Sequence, residues 1–162
     1  MRGLGFAILL SLTVPAGATE LAVYGRWLPT PGLTPGFAGG LTARQLCAKG
    51  FRTGTERPAE DVTEKLKIDQ LKVQSRYSDK TPAHYEEDHL ISLEIGGSPD
   101  DPRNLWPQPY AGKCGAHVKD KLENRLHSLV CRGKVTLQVA QDAIAGNWIA
   151  AYNRYVGRIA CR

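Results

Sequence analysis

Along residues 59–74 the apolar side chains Val62, Leu66, Ile68, Leu71 and Val73 alternate with charged ones at near-helical spacing, and Arg57-Pro58 stands just ahead of them. A short amphipathic helix is predicted there. Pro82 breaks whatever follows. Residues 85–95 are rich in aliphatic and β-branched positions and run into Gly96-Gly97, the pattern of a strand entering a turn. Pro99, Pro102 and Pro107 punctuate residues 98–109, which predicts a rigid loop with little regular structure. A second helical pattern starts at Ala116, where Leu122, Leu126, Leu129 and Val130 share one face and Gly133 is placed to stop the helix. Its opposite stripe is polar, with His117, Asp120, Asn124 and Ser128 on one side. Thr136 is placed to cap a further helix through Ala145, and Trp148, Tyr152 and Tyr155 extend an aromatic-bearing segment past Gly146.

The N-terminal third reads differently. Pro29, Pro31 and Pro35 are interspersed with Gly25, Gly32, Gly36, Gly39 and Gly40, so residues 19–56 are expected to be a loop or extended arm. Before it, Met1-Arg2 forms a short basic head, Leu4 through Val14 is almost wholly apolar, and Ala16-Gly17-Ala18 is a small-x-small cleavage signal. Residues 1–18 are therefore predicted to be a secretory signal peptide. The apolar run is too short to span a bilayer, which takes about 20 residues. Residues 57–162 are expected to hold the folded domain and its C-terminal helices, with no internal repeat, heptad array or low-complexity tract.

Composition sharpens this picture. A chain of 162 residues is one domain by default, and 42% hydrophobic with 23% charged residues excludes disordered, collagenous and membrane-spanning classes. The net charge of +5 suits a polyanionic partner without requiring one. Export places the product in the periplasm or outside the cell, where Cys47, Cys114, Cys131 and Cys161 form an even set expected to make two disulfides. Of three connectivities, Cys47–Cys131 with Cys114–Cys161 is favoured because each bridge ties an end of the chain to its middle. Cys114 and His117 also make a Cys-x-x-His pair, but no second closely spaced ligand pair follows to complete a structural zinc site.

The most informative stretch is Tyr85-Glu86-Glu87-Asp88-His89-Leu90-Ile91, followed by Gly96-Gly97 and Asn104-Leu105. It resembles the HNH family of ββα-metal nucleases, in which an acid-His pair ends a strand and an Asn follows a Gly-Gly turn. Over nearly its full length the chain also looks like small bacterial proteins of unassigned activity. The resemblance implies an α+β fold with a ββα-metal-like hairpin-plus-helix core, embedded in a mainly helical single domain behind the Pro/Gly-rich arm. It further implies His89 as the base that activates water, Asn104 as a brace for the loop, and Asp88 as a ligand to one divalent metal ion. Mg²⁺ or Mn²⁺ is the first choice and Zn²⁺ the alternative. His117 is the second ligand implied, with Asp120 in reserve as an oxygen donor suited to Mg²⁺ or Mn²⁺. An imidazole of ordinary pKa near 6.5 can take the proton of an attacking water close to neutral pH. Asp88 and His89 would alternate faces on an extended strand, so a local bend is expected.

Arg103, Lys113, Lys119, Lys121 and Arg125 bracket the motif and are expected to neutralise phosphates. Glu86 and Glu87 are expected to be solubilising charges on an edge strand, with assistance to His89 as the alternative role for Glu87. His84 and His127 are read as solvent-facing or locally hydrogen-bonded, and Trp106 as core. Two functions remain: a secreted, metal-dependent endonuclease acting on DNA or RNA with low sequence specificity, and a non-catalytic binding or structural protein on the same scaffold. Neither reading involves a membrane once the signal is removed, and neither fixes the oligomeric state.

Overall fold

The computed structural model describes residues 25–161, so the predicted signal peptide at residues 1–18 lies outside the described residues. The described chain is mixed α+β. Helices α1 (Ala43–Leu46), α2 (Glu60–Val73), α3 (Ala116–Cys131) and α4 (Leu137–Tyr155) accompany two antiparallel strands, β1 (Tyr85–His89) and β2 (Leu105–Pro109). Helix α2 starts with Glu60 and Asp61, whose charges complement the positive end of the helix dipole. Helix α3 is followed by Gly133 in the left-handed region at φ 64°, the expected stop. In α4 the Thr136 hydroxyl accepts from the Val139 amide at 3.2 Å, and Asn147 breaks the helix at φ −165°, ψ 101°. The Asn147 side chain then accepts from the Ala150 amide at 2.9 Å, restarting the helix as a fresh N-cap.

Two expectations for the centre of the chain are corrected. The proline-rich stretch predicted as a loop contains β2, with Pro107 opposite Glu87 and Pro109 opposite Tyr85 in the register. Alternate residues of an antiparallel pair turn their backbone polar groups away from the partner strand. Leu105 belongs to that outward set, since its carbonyl accepts from Thr34 Oγ1 at 3.3 Å and Gln70 Nε2 at 3.1 Å. Pro107 and Pro109 fall in the same set, so neither removes a donor from the ladder. The predicted strand over residues 85–95 is shorter than expected: β1 ends at His89, and Leu93–Ile95 is a 3₁₀ turn. The reason is that the Asn104 side chain holds the backbone of Ile91 on both its N–H and its C=O.

The main core gathers Trp27, Leu90, Ile91, Ile95, Trp106, Leu122, Leu126, Ile144, Trp148 and Ile149 between α3, α4 and the loop after β1. The described part of the Pro/Gly-rich arm is built into it. Trp27 and Leu28 are buried, Trp148 Nε1 donates to the Trp27 carbonyl at 2.7 Å, and Ala38 forms a bridge with Gly97. A smaller cluster of Leu71, Tyr77 and Tyr85 sits where α2 covers the hairpin, with the two tyrosine rings edge to face at 5.4 Å. Disulfides join Cys47 to Cys131 and Cys114 to Cys161, the favoured pairing, so α3 is tethered just before its start and at its end. Among the described residues no helix is long and apolar enough to cross a membrane. These bridges and that feature are compatible with a secreted or periplasmic protein.

Candidate active site

The site is built at the end of β1 and in the loop that returns to β2. Asn104 is fully buried and all four of its side-chain hydrogen-bonding positions are used. Its Oδ1 accepts from the Ile91 amide at 2.9 Å and the Phe37 amide at 3.3 Å, and its Nδ2 donates to the carbonyls of Ile91 at 3.0 Å and Ser98 at 2.9 Å. The loop closes so tightly that a Cβ on Gly97 would stand 1.7 Å from the Ile91 carbonyl oxygen, so only glycine fits. The Asn104 side chain thus ties the backbone of Phe37, Ile91 and Ser98 together.

His89 lies beneath this loop, 5% exposed. Its Nε2 is 2.9 Å from the Pro99 carbonyl oxygen. A carbonyl only accepts, so Nε2 carries the proton and Nδ1 keeps the lone pair. Burial, then the nearby Arg57 charge, pull the imidazole pKa down to about 4 against the opposing pull of the Pro99 hydrogen bond. The ring is neutral at pH 7, but it is a weaker base than the ordinary imidazole of pKa near 6.5 expected from the sequence, because burial disfavours its charged form.

Asp88 faces α3 and is buried. Its Oδ2 accepts from Lys119 Nζ at 2.8 Å and from Trp106 Nε1 at 3.3 Å. Lys119 is wholly buried, and its ammonium also donates to the His89 carbonyl at 2.7 Å and to Glu123 Oε1. Burial opposes the ammonium charge, but the Asp88 and Glu123 carboxylates outweigh it and hold the lysine pKa above its ordinary value. The other oxygen of Glu123 accepts from Ser92 Oγ at 2.8 Å. Asp88 is thus one corner of a buried ion-pair network, not a free carboxylate.

Two clefts open beside His89. One, of about 50 Å³, is bordered by Arg57, Glu86, Asp88, His89, Asp120 and Glu123. The other, of about 320 Å³, runs along α2 past Arg57, Lys67, Glu86, Glu87, His89 and Tyr110. Burial and then the Asp120 charge raise the pKa of Glu86. Glu87 was expected to be a surface charge, but it is only 8% exposed because it faces α2. Its Oε1 accepts from Gln70 Nε2 at 3.1 Å, its Oε2 has no hydrogen-bond partner among the described residues, and burial followed by the Asp88 charge raises its pKa to about 9.

The predicted site residues are therefore only partly brought together. Asp88, His89 and Asp120 border one cleft, with Asn104 bracing it from behind. His117 lies outside: its side chain is 78% exposed, its Nδ1 is 3.4 Å from Asp120 Oδ2, and its ring sits 5.9 Å from that of Tyr110. Lys119 requires correction as a phosphate contact, because a wholly buried ammonium with three protein acceptors cannot reach a ligand. Lys113, Lys121 and Arg125 are exposed, Arg125 donating to the Tyr155 carbonyl at 3.1 Å. Arg103 is also exposed, bound to Asp101 and lying over the Phe37 ring at 3.8 Å. Sequence reasoning gave Arg57 and Glu123 no role at the site, and read Glu87 as a solubilising charge able to assist His89. Only Glu87 left a signal, since it shares its alternating strand face with Tyr85 and His89.

The implied metal ligands do not fit a metal centre as placed. Lys119 and Trp106 occupy Oδ2 of Asp88, and His117 is not among the residues that border the cleft. Among the described residues one group of three His, Cys, Asp or Glu donors lies within 4.8 Å of one another, Cys47, His127 and Cys131, and its two sulfurs are joined as a disulfide. No known protein family, curated protein or solved structure matches the chain.

Proposed function

We propose that the protein is a secreted endonuclease that cleaves phosphodiester bonds of DNA or RNA at the His89 cleft, on an HNH-like arrangement of β1, β2 and α3. The observation that carries this reading is the placement of His89: its Nε2 is committed to the Pro99 carbonyl at 2.9 Å, which leaves the lone pair on Nδ1, and Arg57 borders the same cleft. In this reading His89 Nδ1 takes the proton of a water whose oxygen bonds to phosphorus, Arg57 meets the negative charge that grows on the phosphoryl oxygens, and the P–O bond to the departing sugar oxygen breaks as that oxygen takes a proton from solvent. Asn104 keeps the Pro99 carbonyl in place through its bond to Ser98, and so keeps the tautomer fixed. Lys113, Lys121, Arg103 and Arg125 supply exposed positive charge for the nucleic-acid backbone. A bound divalent ion would supply Lewis-acid polarisation of the phosphate, but Asp88 and His117 do not converge on a common seat for one.

A second reading is favoured by one observation, the buried ion pair of Asp88 with Lys119. Such a network suits a scaffold that binds a polyanion or a protein partner without turnover. One experiment separates the two. Full-length processed protein is incubated with plasmid DNA and with RNA, in Mg²⁺, Mn²⁺ or EDTA, beside His89→Ala. Cleavage by the wild type that falls by about 10² to 10⁴-fold in the variant supports the nuclease. Equal cleavage by both proteins removes His89 as base, and binding without cleavage under every condition selects the scaffold.

A further inference from the structure

We infer that the Lys119 ammonium occupies the seat a divalent cation would take beside Asp88, so that β1 is joined to α3 by the chain's own positive charge. Three N–H donors meet three oxygens: Asp88 Oδ2 at 2.8 Å, the His89 carbonyl at 2.7 Å and Glu123 Oε1. The side chain is 0% exposed, so no water substitutes for any of them. Two carboxylates and a backbone carbonyl converging from a strand end and a helix are a hard-oxygen donor set, of the kind that suits Mg²⁺ or Mn²⁺. Glu123 Oε2 also accepts from Ser92 Oγ, and Asp88 Oδ2 accepts a second bond from Trp106 Nε1, so the oxygen shared with Lys119 is held from two sides. The ammonium leaves no room for a second cation between these oxygens, and a cation placed next to it would be repelled at short range.

The position of Lys119 in the sequence explains how the charge arrives there. Ala116, Lys119, Leu122, Leu126 and Val130 are the buried residues of α3, so Lys119 lies in the stripe that packs inward. A lysine in that stripe is tolerated only with its charge paired, and Asp88 and Glu123 supply the pairing. The consequence also reaches His89. Lys119 binds the His89 backbone carbonyl, so it is a positioning residue for the imidazole and not a group that meets substrate.

The test uses full-length processed protein and Mn²⁺ as the probe, with binding followed by electron paramagnetic resonance of free Mn²⁺ and stability by thermal melting in Mn²⁺ against EDTA. The wild type is expected to melt at the same temperature in both. Lys119→Ala, which vacates the seat, is expected to bind one Mn²⁺ at least tenfold more tightly than the wild type and to melt higher in Mn²⁺ than in EDTA. Lys119→Met, which fills the volume without charge, is expected to gain no Mn²⁺ site, and Asp88→Asn added to Lys119→Ala is expected to abolish the gain. If Lys119→Ala is unfolded in EDTA, recovery of its helical circular dichroism on adding Mn²⁺ supports the inference and failure to recover overturns it. It is also overturned if the wild type binds Mn²⁺ in a way that Asp88→Asn removes, or if folded Lys119→Ala gains nothing. Absence of nucleic-acid cleavage would sink the proposed activity and leave this inference standing, and Mn²⁺ binding at Asp88 of the wild type would do the reverse.

Discussion

Glu87→Gln replaces a buried titrating group by one of the same shape that does not titrate. The native carboxyl has one oxygen bonded to Gln70 and the other without a partner, and its pKa is raised from an ordinary 4.5 to about 9 by burial and then by the Asp88 charge. Between those two values the folded protein keeps a proton that the unfolded chain releases. The associated stability is present in full below pH 4.5 and is lost as pH rises toward 9, at about 1.4 kcal/mol per pH unit. By pH 7 the loss is about 3 kcal/mol. Glutamine keeps an oxygen for Gln70 and has no proton to lose, so the variant escapes this loss. Glu87→Gln is therefore expected to match the wild type at pH 4 and to exceed it at pH 7 by about 3 kcal/mol, a rise in Tm on the order of 10 °C for a chain of this size. The assay is urea unfolding and thermal melting at both pH values. Infrared difference spectra at pH 7 add an independent readout, a protonated carboxyl band present in the wild type and missing from the variant. A stability difference that does not change with pH would refute the reasoning, because a packing effect carries no such slope.

Further outcomes can be checked separately. His89 has its pKa lowered from 6.5 to about 4, so its contribution to stability is present above pH 6.5 and is lost as pH falls through 4. The stability difference between the wild type and His89→Asn in urea unfolding should therefore shrink as pH falls from 6.5 to 4, since the variant lacks the titrating ring; a difference that does not change with pH would contradict the buried neutral imidazole. Asn104→Ala removes four hydrogen bonds and strands the buried Ile91 amide, with an expected cost of about 3 kcal/mol or more in urea unfolding. A cost under about 1 kcal/mol would show that the loop does not depend on the brace. The disulfides close segments with sequence separations of 84 and 47, which by loop entropy stabilise by about 4 kcal/mol each. Reductant should lower Tm sharply, and thiol titration of the native protein should find no free cysteine.

Much of the helical framework was legible in the sequence because it follows from side-chain periodicity. Residues 59–74 bracket α2, the stripe from Ala116 to Gly133 marks α3, and the cysteine pairing followed from tying chain ends to the middle. The hairpin was harder to see. Prolines normally argue against a strand, but a two-stranded sheet has outward positions where a missing N–H costs nothing, and only the register of β2 against β1 reveals that Pro107 and Pro109 fall there. The end of β1 depends on Asn104, which lies fifteen residues beyond His89 and whose partners are all backbone groups without a sequence signature. The misplacement of Lys119 has a different origin. Its charge was read from residue type, although its place between Ala116 and Leu122 put it in the apolar stripe. Its partners, Asp88 and His89, belong to a strand about thirty residues earlier, and such proximity arises only from packing.

The sheet also controls what the protein can attach to. Pro107 and Pro109 leave the outer rim of β2 without amide donors, Leu105 has its carbonyl occupied by Thr34 and Gln70, and on the opposite rim Lys67 and Lys119 cover the carbonyls of Tyr85 and His89. A passing chain in extended conformation finds few open groups with which to zip on. A hairpin whose margins are closed in this way gives crowded or half-folded neighbours little template for growing a fibril.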